Sequence, residues 1–432
     1  MESKCIKIFR QALEFGHPSY LIKNKVNVID EGKISINNEI VDYDEKIKII
    51  AFGKAAGSMT EAFLKIKNLN KIIEGIVILP DYSPKPKINH PNIEVFFSTH
   101  PYISKKSVIA GNKLLSFAKR CTKDETVFCL VSGGGSALVA SPINEINVNQ
   151  KIKLINLLLK LGIGEREVNV IRKKLSKIKG GSLAKEIHPA RIINLILSDE
   201  RSHQLEAIAS GPSVENNSTI TAKDIIIENN LWNHIPLNIH YIFKNNKIIK
   251  TKSKIKISSF IIGSREDLFV GLKKVSKKNN ITYLNILPDF FDSNIDLLKK
   301  ELLKKYNYFF QNAHKGTHLI IASGEVPIKV LSKDSKGGRN QHLAALMIKD
   351  LKKFNNFEFL AIASDGCDFI NGVHGALISD RHISILENSS INTDNYINNW
   401  NSYLFHEKIG SLIKGPMTGT NINDCYMFYF QK

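Results

Sequence analysis

The chain has 432 residues, which is more than one ordinary hydrophobic core accommodates and predicts two or three domains. Its formal charge of +19 comes from lysines spread along the chain among Ile and Asn, and no nucleic-acid-binding motif accompanies them. No apolar run approaches the roughly 20 residues that span a bilayer, no signal peptide is evident, and five scattered cysteines form no CxxC pair. We therefore expect a cytoplasmic protein with no nucleic-acid or membrane partner, whose positive charge favours anionic small molecules.

Apolar residues in the first segment recur at the spacing of a helix. Ile6, Phe9 and Leu13 step by three and four residues, and Gly16 follows them. The pattern predicts an amphipathic helix over residues 3–15.

Six short apolar runs share one form, because each of them ends at small polar, glycine or acidic residues. The runs are residues 47–52, 127–131, 192–197, 260–262, 319–321 and 360–362. Near-continuous apolar strands with helices between them are typical of parallel sheets covered on both faces. Ligands of such sheets bind beyond the carboxyl ends of the strands. The sequence therefore predicts an α/β fold whose mostly parallel, Rossmann-like sheets are flanked by helices.

A composition change marks the expected domain boundary. Residues 214–257 are rich in Asn and Lys and contain few long apolar runs. We expect an N-terminal domain of residues 1–235 and a C-terminal domain of residues 236–432, the second beginning within the window 214–257.

The run 127–131 stops at a glycine-rich turn and leads into a predicted helix. Bare backbone at a helix N-terminus offers unpaired amides and a positive dipole, so this turn is a candidate phosphate site. A tight turn that binds nothing is the alternative, and three successive glycines favour the anion site. The turn comprises Ser132, Gly133, Gly134, Gly135 and Ser136.

Two cations follow glycines at strand-to-helix turns. Lys54 comes after the run 47–52, and a lysine at such a turn suits a transferring phosphoryl group. Arg339 follows Gly337 and Gly338 and precedes Asn340, where it could bind an oxyanion with two nitrogens. An exposed turn lysine and an ordinary surface loop are the alternatives.

A predicted helix around Val168, Ile171 and Leu175 carries a basic opposite face. Arg172 on that face, and Lys179 just beyond it, could help the glycine-rich turn to hold an anion. A merely solvated basic face is the commoner outcome.

Three carboxylates end apolar runs, at places where carboxylates hold Mg²⁺ or accept a hydroxyl proton. They are Asp199, Glu325 and Asp365. Helix capping is the alternative, above all for the two aspartates. Residues 415–424, which include Thr420 and Asn421, are rich in small polar residues and predict a second ligand loop.

Common catalytic signatures are absent from the sequence. It lacks the P-loop, a G-x-G-x-x-G turn after a strand, the G-x-S-x-G elbow and H-E-x-x-H. A P-loop NTPase, an α/β-hydrolase and a zincin are therefore excluded, and an oxidoreductase is disfavoured.

Nine short motifs occur in a fixed order over nearly the whole chain. They are GKA (53–55), SGGGSAL (132–138), RKKLSKIKGG (172–181), LSD (197–199), IASGP (208–212), GE (324–325), GGRNQ (337–341), DG (365–366) and GTNIND (419–424). In this order they resemble the glycerate 2-kinase family, whose C-terminal half is called the MOFRL domain.

The resemblance implies ATP-dependent phosphorylation of the 2-hydroxyl of D-glycerate, giving 2-phosphoglycerate, with Mg²⁺. It also implies two α/β domains with the active site in the cleft between them. The family's proposed catalytic lysine and arginine map onto Lys54 and Arg339. We expect the turn 132–136 to hold phosphate or carboxylate oxygens, and Asp199, or else Glu325 or Asp365, to hold Mg²⁺ or accept the hydroxyl proton.

Two loops depart from the family's pattern and keep alternatives open. Residues 200–204 and 367–374 lack acidic and glycine residues expected there, although Asp368 is kept. A kinase for another small hydroxy acid or sugar acid, and a catalytically inactive ligand-binding relative, are therefore alternatives. The oligomeric state stays open, with a homodimer as one alternative.

Overall fold

The computed structural model describes residues 3–69, 71–161, 163–200, 203–215, 220–244, 255–290, 294–326, 328 and 335–432. Within these residues the strands are β1 (Val26–Asp30), β2 (Lys33–Ile36), β3 (Glu39–Asp42), β4 (Lys46–Phe52), β5 (Ile72–Pro80), β6 (Ile93–Ser98), β7 (Glu125–Val131), β8 (Arg191–Leu197), β9 (Ile257–Gly263), β10 (Tyr283–Ile286), β11 (Thr317–Gly324), β12 (Phe357–Ala363), β13 (Cys367–Asp368), β14 (Ile370–Asn371), β15 (Val373–Ser379), β16 (Leu412–Lys414) and β17 (Asp424–Gln431).

The helices, in chain order, lie between and around these strands. They are α1 (Lys4–Leu13), α2 (Pro18–Lys25), α3 (Ala56–Phe63), α4 (Lys105–Ala118), α5 (Gly135–Leu138), α6 (Val148–Lys160), α7 (Glu165–Lys174), α8 (Ser182–Ile187), α9 (Ala222–Glu228), α10 (His240–Lys244), α11 (Arg265–Lys278), α12 (Ile295–Gln311), α13 (Arg339–Leu351), α14 (Asp380–Glu387), α15 (Thr393–Asn398) and α16 (Ser402–Ile409). Among the described residues, no helix combines the length and the apolar character needed to cross a membrane.

The chain divides into two compact units, here called the L unit (Leu21–Ile262) and the M unit (Met1–Tyr20 with Gly263–Lys432). The division at residue 262 lies beyond the expected window of 214–257, because β9 adds the last strand to the L-unit sheet. The N-terminal segment also differs from the expected domain assignment. Its helix α1 packs on α11 so closely that a Cβ on Gly271 would lie 2.5 Å from the carbonyl oxygen of Ala12.

The L-unit sheet has the strand order β6-β5-β4-β7-β8-β9. The pairs β5/β6, β4/β5, β4/β7 and β7/β8 are parallel. Successive side chains of β7 enter two different cores: Phe128 and Leu130 on one face, Cys129 and Val131 on the other. Burial on both faces explains the unbroken apolar run that predicted this strand.

The M-unit sheet has the order β10-β11-β17-β12-β15-β16 and differs from the expectation of mostly parallel strands. Only β10/β11 is parallel among its pairings, whereas β17 runs antiparallel to both neighbours and β15 and β16 continue antiparallel. Both faces are covered here too, with Tyr426 and Phe428 in one core and Cys425 and Met427 in the other. Covered strands carry continuous apolar runs in either direction, so the sequence pattern does not reveal the direction.

Two smaller parts complete the described fold. Strands β1, β2 and β3 form an antiparallel sheet, and β13 pairs with β14 in a short hairpin. In the L unit, α6, α7 and α9 bury a separate helical core that includes Leu154, Ile171 and Ile225. The α/β class predicted from the sequence is confirmed.

Candidate active site

Three of the L-unit strands bring predicted site residues to one edge. Strands β4, β7 and β8 are neighbours, with Phe52 beside Val131 and Val131 beside Ile196. Because parallel strands end at the same edge, Lys54 and Asp199 lie at the edge where the glycine-rich turn begins. Both side chains are partly buried.

The turns after β4 and β7 are tied together through their backbones. The amide of Lys54 donates to the carbonyl of Gly133 at 3.0 Å, and the amide of Ala55 donates to the hydroxyl of Ser132 at 3.0 Å. Gly53 has φ +127°, and a Cβ there would lie 2.2 Å from the Ser132 hydroxyl oxygen. Ser132 is completely buried, so its hydroxyl fixes the two turns against each other.

Gly134 supplies bare backbone beside the Lys54 side chain. It has φ +82°, and a Cβ there would lie 3.1 Å from Cγ of Lys54 and 3.0 Å from Nε2 of His100. The other ring nitrogen of His100 lies 2.9 Å from the hydroxyl of Tyr82. Gly135 begins α5 and leaves room for the Phe52 ring, which a Cβ would approach to 2.8 Å. His100 was not among the predicted site residues.

The other end of the glycine-rich turn is connected to the basic segment. The hydroxyls of Ser136 and Ser210 lie 2.8 Å apart, and Ser210 also donates to the side-chain oxygen of Asn169 at 3.2 Å. The amide of Gly180 donates to the carbonyl of Ser210 at 2.9 Å. These bonds place the segment around Lys179, which follows α7, next to the turn 132–136.

The basic side chains of this segment differ in burial. Arg172 is partly exposed, whereas only 5% of the Lys179 residue surface is accessible. Burial lowers the pKa of Lys179 well below its ordinary value, and the charges of Lys151 and Arg172 lower it further.

In the M unit, the antiparallel position of β17 gathers carboxylates at one edge. Strand β17 begins where its neighbours β11 and β12 end, so Asp424 pairs with Gly324 on one side and with Ala363 on the other. The residues that continue from those neighbours, Glu325 and Asp365, therefore lie at the same edge as Asp424. Strands β11 and β12 end at this edge, and the strand between them, β17, begins there.

Arg339 is held at that edge by two carboxylates. Its Nε and Nη2 donate to the two oxygens of Asp424, the second at 3.0 Å, and its Nη1 donates to Glu325 at 2.7 Å. Burial raises the pKa of the Asp424 carboxyl to about 6, although the adjacent Arg339 guanidinium opposes the rise. The two carboxylates in turn keep the pKa of Arg339 far above neutrality. The result is a fixed, always charged guanidinium at the strand edge.

The helix that carries Arg339 is capped by a carboxylate from another loop. Asp368 accepts from the backbone amides of Asn340 and Gln341 at 3.0 and 2.9 Å, and from both of their side chains. A Cβ on Gly338 would lie 2.1 Å from the Asp368 carbonyl oxygen, and one on Gly337 would lie 2.0 Å from the Ser402 hydroxyl. Both glycines are therefore needed for close packing around the start of α13.

The remaining predicted residues of the M unit are tied into its own loops. One oxygen of Asp365 accepts from the amide of Cys367 at 2.8 Å, and the hydroxyl of Thr420 donates to the carbonyl of Gly16 at 2.6 Å. Asn421 is 5% exposed and Asn340 is fully buried. Thr420 and Asn340 thus stabilise the loops around Arg339.

The carboxylates predicted to bind metal are divided between the two units. Asp199 lies in the L unit, and Glu325 and Asp365 lie in the M unit. Across the described part of the chain, no group of three or more His, Cys, Asp and Glu side chains is placed to hold a metal ion. The metal role of these three residues stays a prediction.

Two residues that organise this site were missed by sequence reasoning. Asp424 and Asp368 belong to stretches that the sequence singled out, but neither was given a role. For Asp424 the signal was its position directly before the apolar run of β17, at the kind of strand end that marked the other carboxylates. Nothing in the sequence indicates that Asp368 caps a helix beginning 29 residues earlier, at Arg339.

Comparison with known proteins agrees with the sequence resemblance. A family described as "Domain of unknown function (DUF4147)" matches residues 4–244, and the MOFRL family matches residues 318–424. A glycerate 2-kinase of Sulfurisphaera tokodaii is 32% identical over 98% of both chains. A glycerate 2-kinase of Pyrococcus horikoshii is 28% identical, covering 97% of this chain and 94% of its own. The crystal structure of a glycerate kinase from Thermotoga maritima has a TM-score of 0.79 at 24% identity, over 99% of this chain and 98% of that one, which shows a shared fold.

Proposed function

Because the chain belongs to the DUF4147–MOFRL family, which includes the glycerate 2-kinases, we propose that it transfers the γ-phosphoryl group of ATP to the 2-hydroxyl of D-glycerate. The product is 2-phosphoglycerate. The chain is thus a phosphotransferase with an alcohol acceptor.

The observation that carries this proposal is the placement of Lys54. Its side chain lies against Gly134 at the end of two adjacent parallel strands, where a glycine with φ +82° leaves backbone uncovered. A cation beside uncovered amides is suited to bind the oxygens of a phosphoryl group in transfer. Phosphoryl transfer needs little covalent chemistry from the protein, so positioning and charge stabilisation supply most of its rate.

The other residues take complementary roles in this proposal. Arg339 presents a second cation whose orientation is fixed by Asp424 and Glu325. The turn 132–136 holds oxygens of the substrates through its backbone, because the Ser132 hydroxyl is already used in the fold. Asp199, at the same strand edge as Lys54, accepts the proton of the attacking hydroxyl.

The carboxylates of the M unit favour an Mg²⁺ ion that binds together with the nucleotide over one that the protein binds by itself. Mg²⁺ in kinases is usually held by one or two carboxylates together with substrate phosphates. Asp365 accepts from the amide of Cys367 and Glu325 accepts from Arg339, so both carboxylates are held in place at the edge where β17 begins. These two residues are the candidates to complete the coordination of a phosphate-bound Mg²⁺, which would neutralise charge on the phosphates.

The test is ADP release with ATP, Mg²⁺ and D-glycerate, followed by phosphorus NMR of the product. The expected result is D-glycerate-dependent ADP release and the signal of 2-phosphoglycerate. A signal of 3-phosphoglycerate would contradict the regiochemistry. ATP binding without any turnover on D-glycerate would contradict the substrate.

A second acceptor is favoured by one specific observation. Residues 367–374 differ from the family's pattern. Within them, Asp368 caps α13, and β13 and β14 form a hairpin. An altered loop beside Arg339 suits a kinase for another small hydroxy acid or sugar acid. Screening such acids for ADP release separates this candidate from the first.

A further inference from the structure

The L unit contains a group of neighbouring basic side chains, one of which is deeply buried. We call Lys151 of α6, Arg172 of α7 and Lys179 the basic cluster. The ammonium group of Lys151 donates to the carbonyl of Arg172 at 3.1 Å, and the charges of both residues lower the pKa of Lys179. Burying like charges together is costly unless an anion joins them.

Lys179 is the member of this cluster that most needs an anion. It is 95% buried by residue surface, and among the residues that the structure describes its ammonium group has no hydrogen-bond or ion-pair partner. Lys151 differs because its ammonium donates to the carbonyls of Arg172 and Leu175 at 3.1 and 2.8 Å. Lys173 differs as well, because burial lowers its pKa but the charge of Glu206 opposes that lowering.

The basic cluster adjoins the candidate active site through hydrogen bonds within the L unit. Gly180, the residue after Lys179, donates to the carbonyl of Ser210, and the hydroxyl of Ser210 lies 2.8 Å from that of Ser136. An anion held by Lys179 is therefore next to the turn 132–136. The burial of Lys179 favours a small oxyanion with one or two oxygens to offer over a nucleotide polyphosphate.

We propose that Lys179, supported by Arg172 and Lys151, forms a subsite for the carboxylate of the hydroxy-acid substrate. This assignment rests on the proposed function, because it presumes an acid as the acceptor. Lys179 fixes one end of the acceptor, so that its hydroxyl is presented toward Lys54 and Asp199. The subsite also explains the choice of an acid over a neutral polyol, since an empty subsite leaves a buried cation uncompensated.

The test compares Lys179→Met with the matched control Lys185→Met, which changes an exposed lysine of α8. Methionine fills a similar volume without charge, so the variant without ligand should melt at the same or a higher temperature than the wild type. The KM for D-glycerate should rise about 10- to 100-fold, the loss expected for one charge-assisted hydrogen bond. The KM for ATP should stay within about twofold, and Lys185→Met should match the wild type.

The choice of acceptor provides a second check, because a ratio of two activities measured on one variant does not change with the fraction of that variant that is folded. Wild-type protein should prefer D-glycerate over glycerol, and Lys179→Met should lose most of that preference. An unchanged KM for D-glycerate in Lys179→Met would overturn the subsite. So would a raised KM for ATP alone, which would assign the basic cluster to nucleotide phosphate.

Failure of the proposed function gives a different result. If the wild type releases no ADP with D-glycerate, calorimetric titration of the wild type with D-glycerate and with D-lactate still tests the subsite. Binding that is lost in Lys179→Met would support a carboxylate subsite in a protein with another activity. No binding of either acid to the wild type would overturn it.

Discussion

The cations of the two units are stabilised in opposite ways. In the M unit, Arg339 contacts the carboxylates of Asp424 and Glu325, so its charge is balanced and its orientation is fixed before any ligand binds. In the L unit, Lys179 is buried beside other cations, with no partner for its ammonium group in the described residues. The carboxylates around Arg339 stabilise the fold. The ammonium group of Lys179, by contrast, can gain a favourable interaction only from a bound anion.

This difference predicts opposite signs for the effects of substitutions on stability. Removing an acidic partner in the M unit leaves a charge uncompensated and destabilises the protein. Removing Lys179 in the L unit relieves a buried charge and leaves the stability equal or higher, at the expense of binding. Of these two kinds of substitution, only that of Lys179 in the L unit is thus expected to weaken substrate binding without lowering stability.

The largest expected effect is the loss of turnover on removal of a cation at either strand edge. Lys54→Ala and Arg339→Ala should each reduce kcat by several powers of ten, because each removes charge that stabilises the transferring phosphoryl group. ADP release under saturating ATP and D-glycerate measures the effect. Circular dichroism should show that both variants stay folded.

A conservative substitution separates charge from geometry at Arg339. Arg339→Lys keeps the charge but cannot contact both oxygens of Asp424 as the guanidinium does. It should recover less than about a tenth of the wild-type kcat. Near-normal turnover in Lys54→Ala and Arg339→Ala would refute the assignment of these residues to phosphoryl transfer.

The next largest effect is expected at Asp424, which is almost fully buried. Asp424→Asn should lower the free energy of unfolding by about 2 to 4 kcal/mol, because half of a largely buried ion pair is lost. It should also reduce kcat about 100-fold, since Arg339 loses its two-point contact. Denaturant unfolding and ADP release measure the two effects, and Lys179→Met provides the contrast, with activity lost but stability kept. A stability of Asp424→Asn equal to that of the wild type would show that the pair contributes nothing.

The sequence predicted the α/β class because a strand that is buried on both faces consists of an unbroken run of apolar residues. The run 127–131 contains no polar residue, and the structure shows its side chains divided between two cores. An apolar run looks the same in a parallel and in an antiparallel strand, so the sequence did not reveal that β17 is antiparallel. The pairing of residues 1–20 with the C-terminal unit was also invisible, since an amphipathic helix reveals its apolar face but not its partner.

The candidate site was predicted where short-range sequence defines it and missed where distant segments meet. Lys54 and the turn 132–136 stand out because glycines follow apolar runs, and their backbones are indeed bonded to each other. The contact of Asp368 with the start of α13 depends on a hairpin that folds back across 28 residues. The burial of Lys179 depends on segments that are distant in the sequence, such as the one around Ser210 to which Gly180 donates, so its residue type alone gave no indication of it.

A smaller effect is expected from substituting glycines with positive φ, and it should differ between Gly134 of the L unit and Gly410 of the M unit. Gly134 and Gly410 both have positive φ, of 82° and 70°. A Cβ on Gly134 would lie against Lys54, whereas a Cβ on Gly410 would meet no atom of the described residues within 4 Å. Each Gly→Ala change should cost roughly 1 to 2 kcal/mol of stability from backbone strain. Only Gly134→Ala should also reduce kcat/KM, by about 10- to 100-fold, because it displaces Lys54. Equal kinetics in the two variants would show that the Lys54 position tolerates this displacement.

The last effect concerns stability rather than turnover: it is a difference in acid sensitivity, which arises from two buried histidines of the M unit. Burial lowers the pKa of His342 to about 4 and that of His406 to about 3. An unfolded histidine titrates near 6.5, so between these values the unfolded state binds more protons than the folded state. These two histidines should therefore lower the stability of the M unit as the pH drops below about 6.5, by up to about 1.4 kcal/mol per pH unit each. The raised pKa of the single carboxyl of Asp424 opposes part of this loss.

A tryptophan in contact with one of these histidines gives a probe of this unit alone. The ring of His342 stacks on Trp400 at 4.1 Å, and Trp232 is the other tryptophan of the chain. In Trp232→Phe protein, the denaturant midpoint reported by Trp400 fluorescence should decrease from pH 7 to pH 4.5. Adding His406→Gln should flatten that dependence, because glutamine takes up no proton, whereas replacing the exposed His314 by glutamine should leave it unchanged. An unaltered slope in the His406→Gln protein would mean that its buried ring does not couple the folding of this unit to pH.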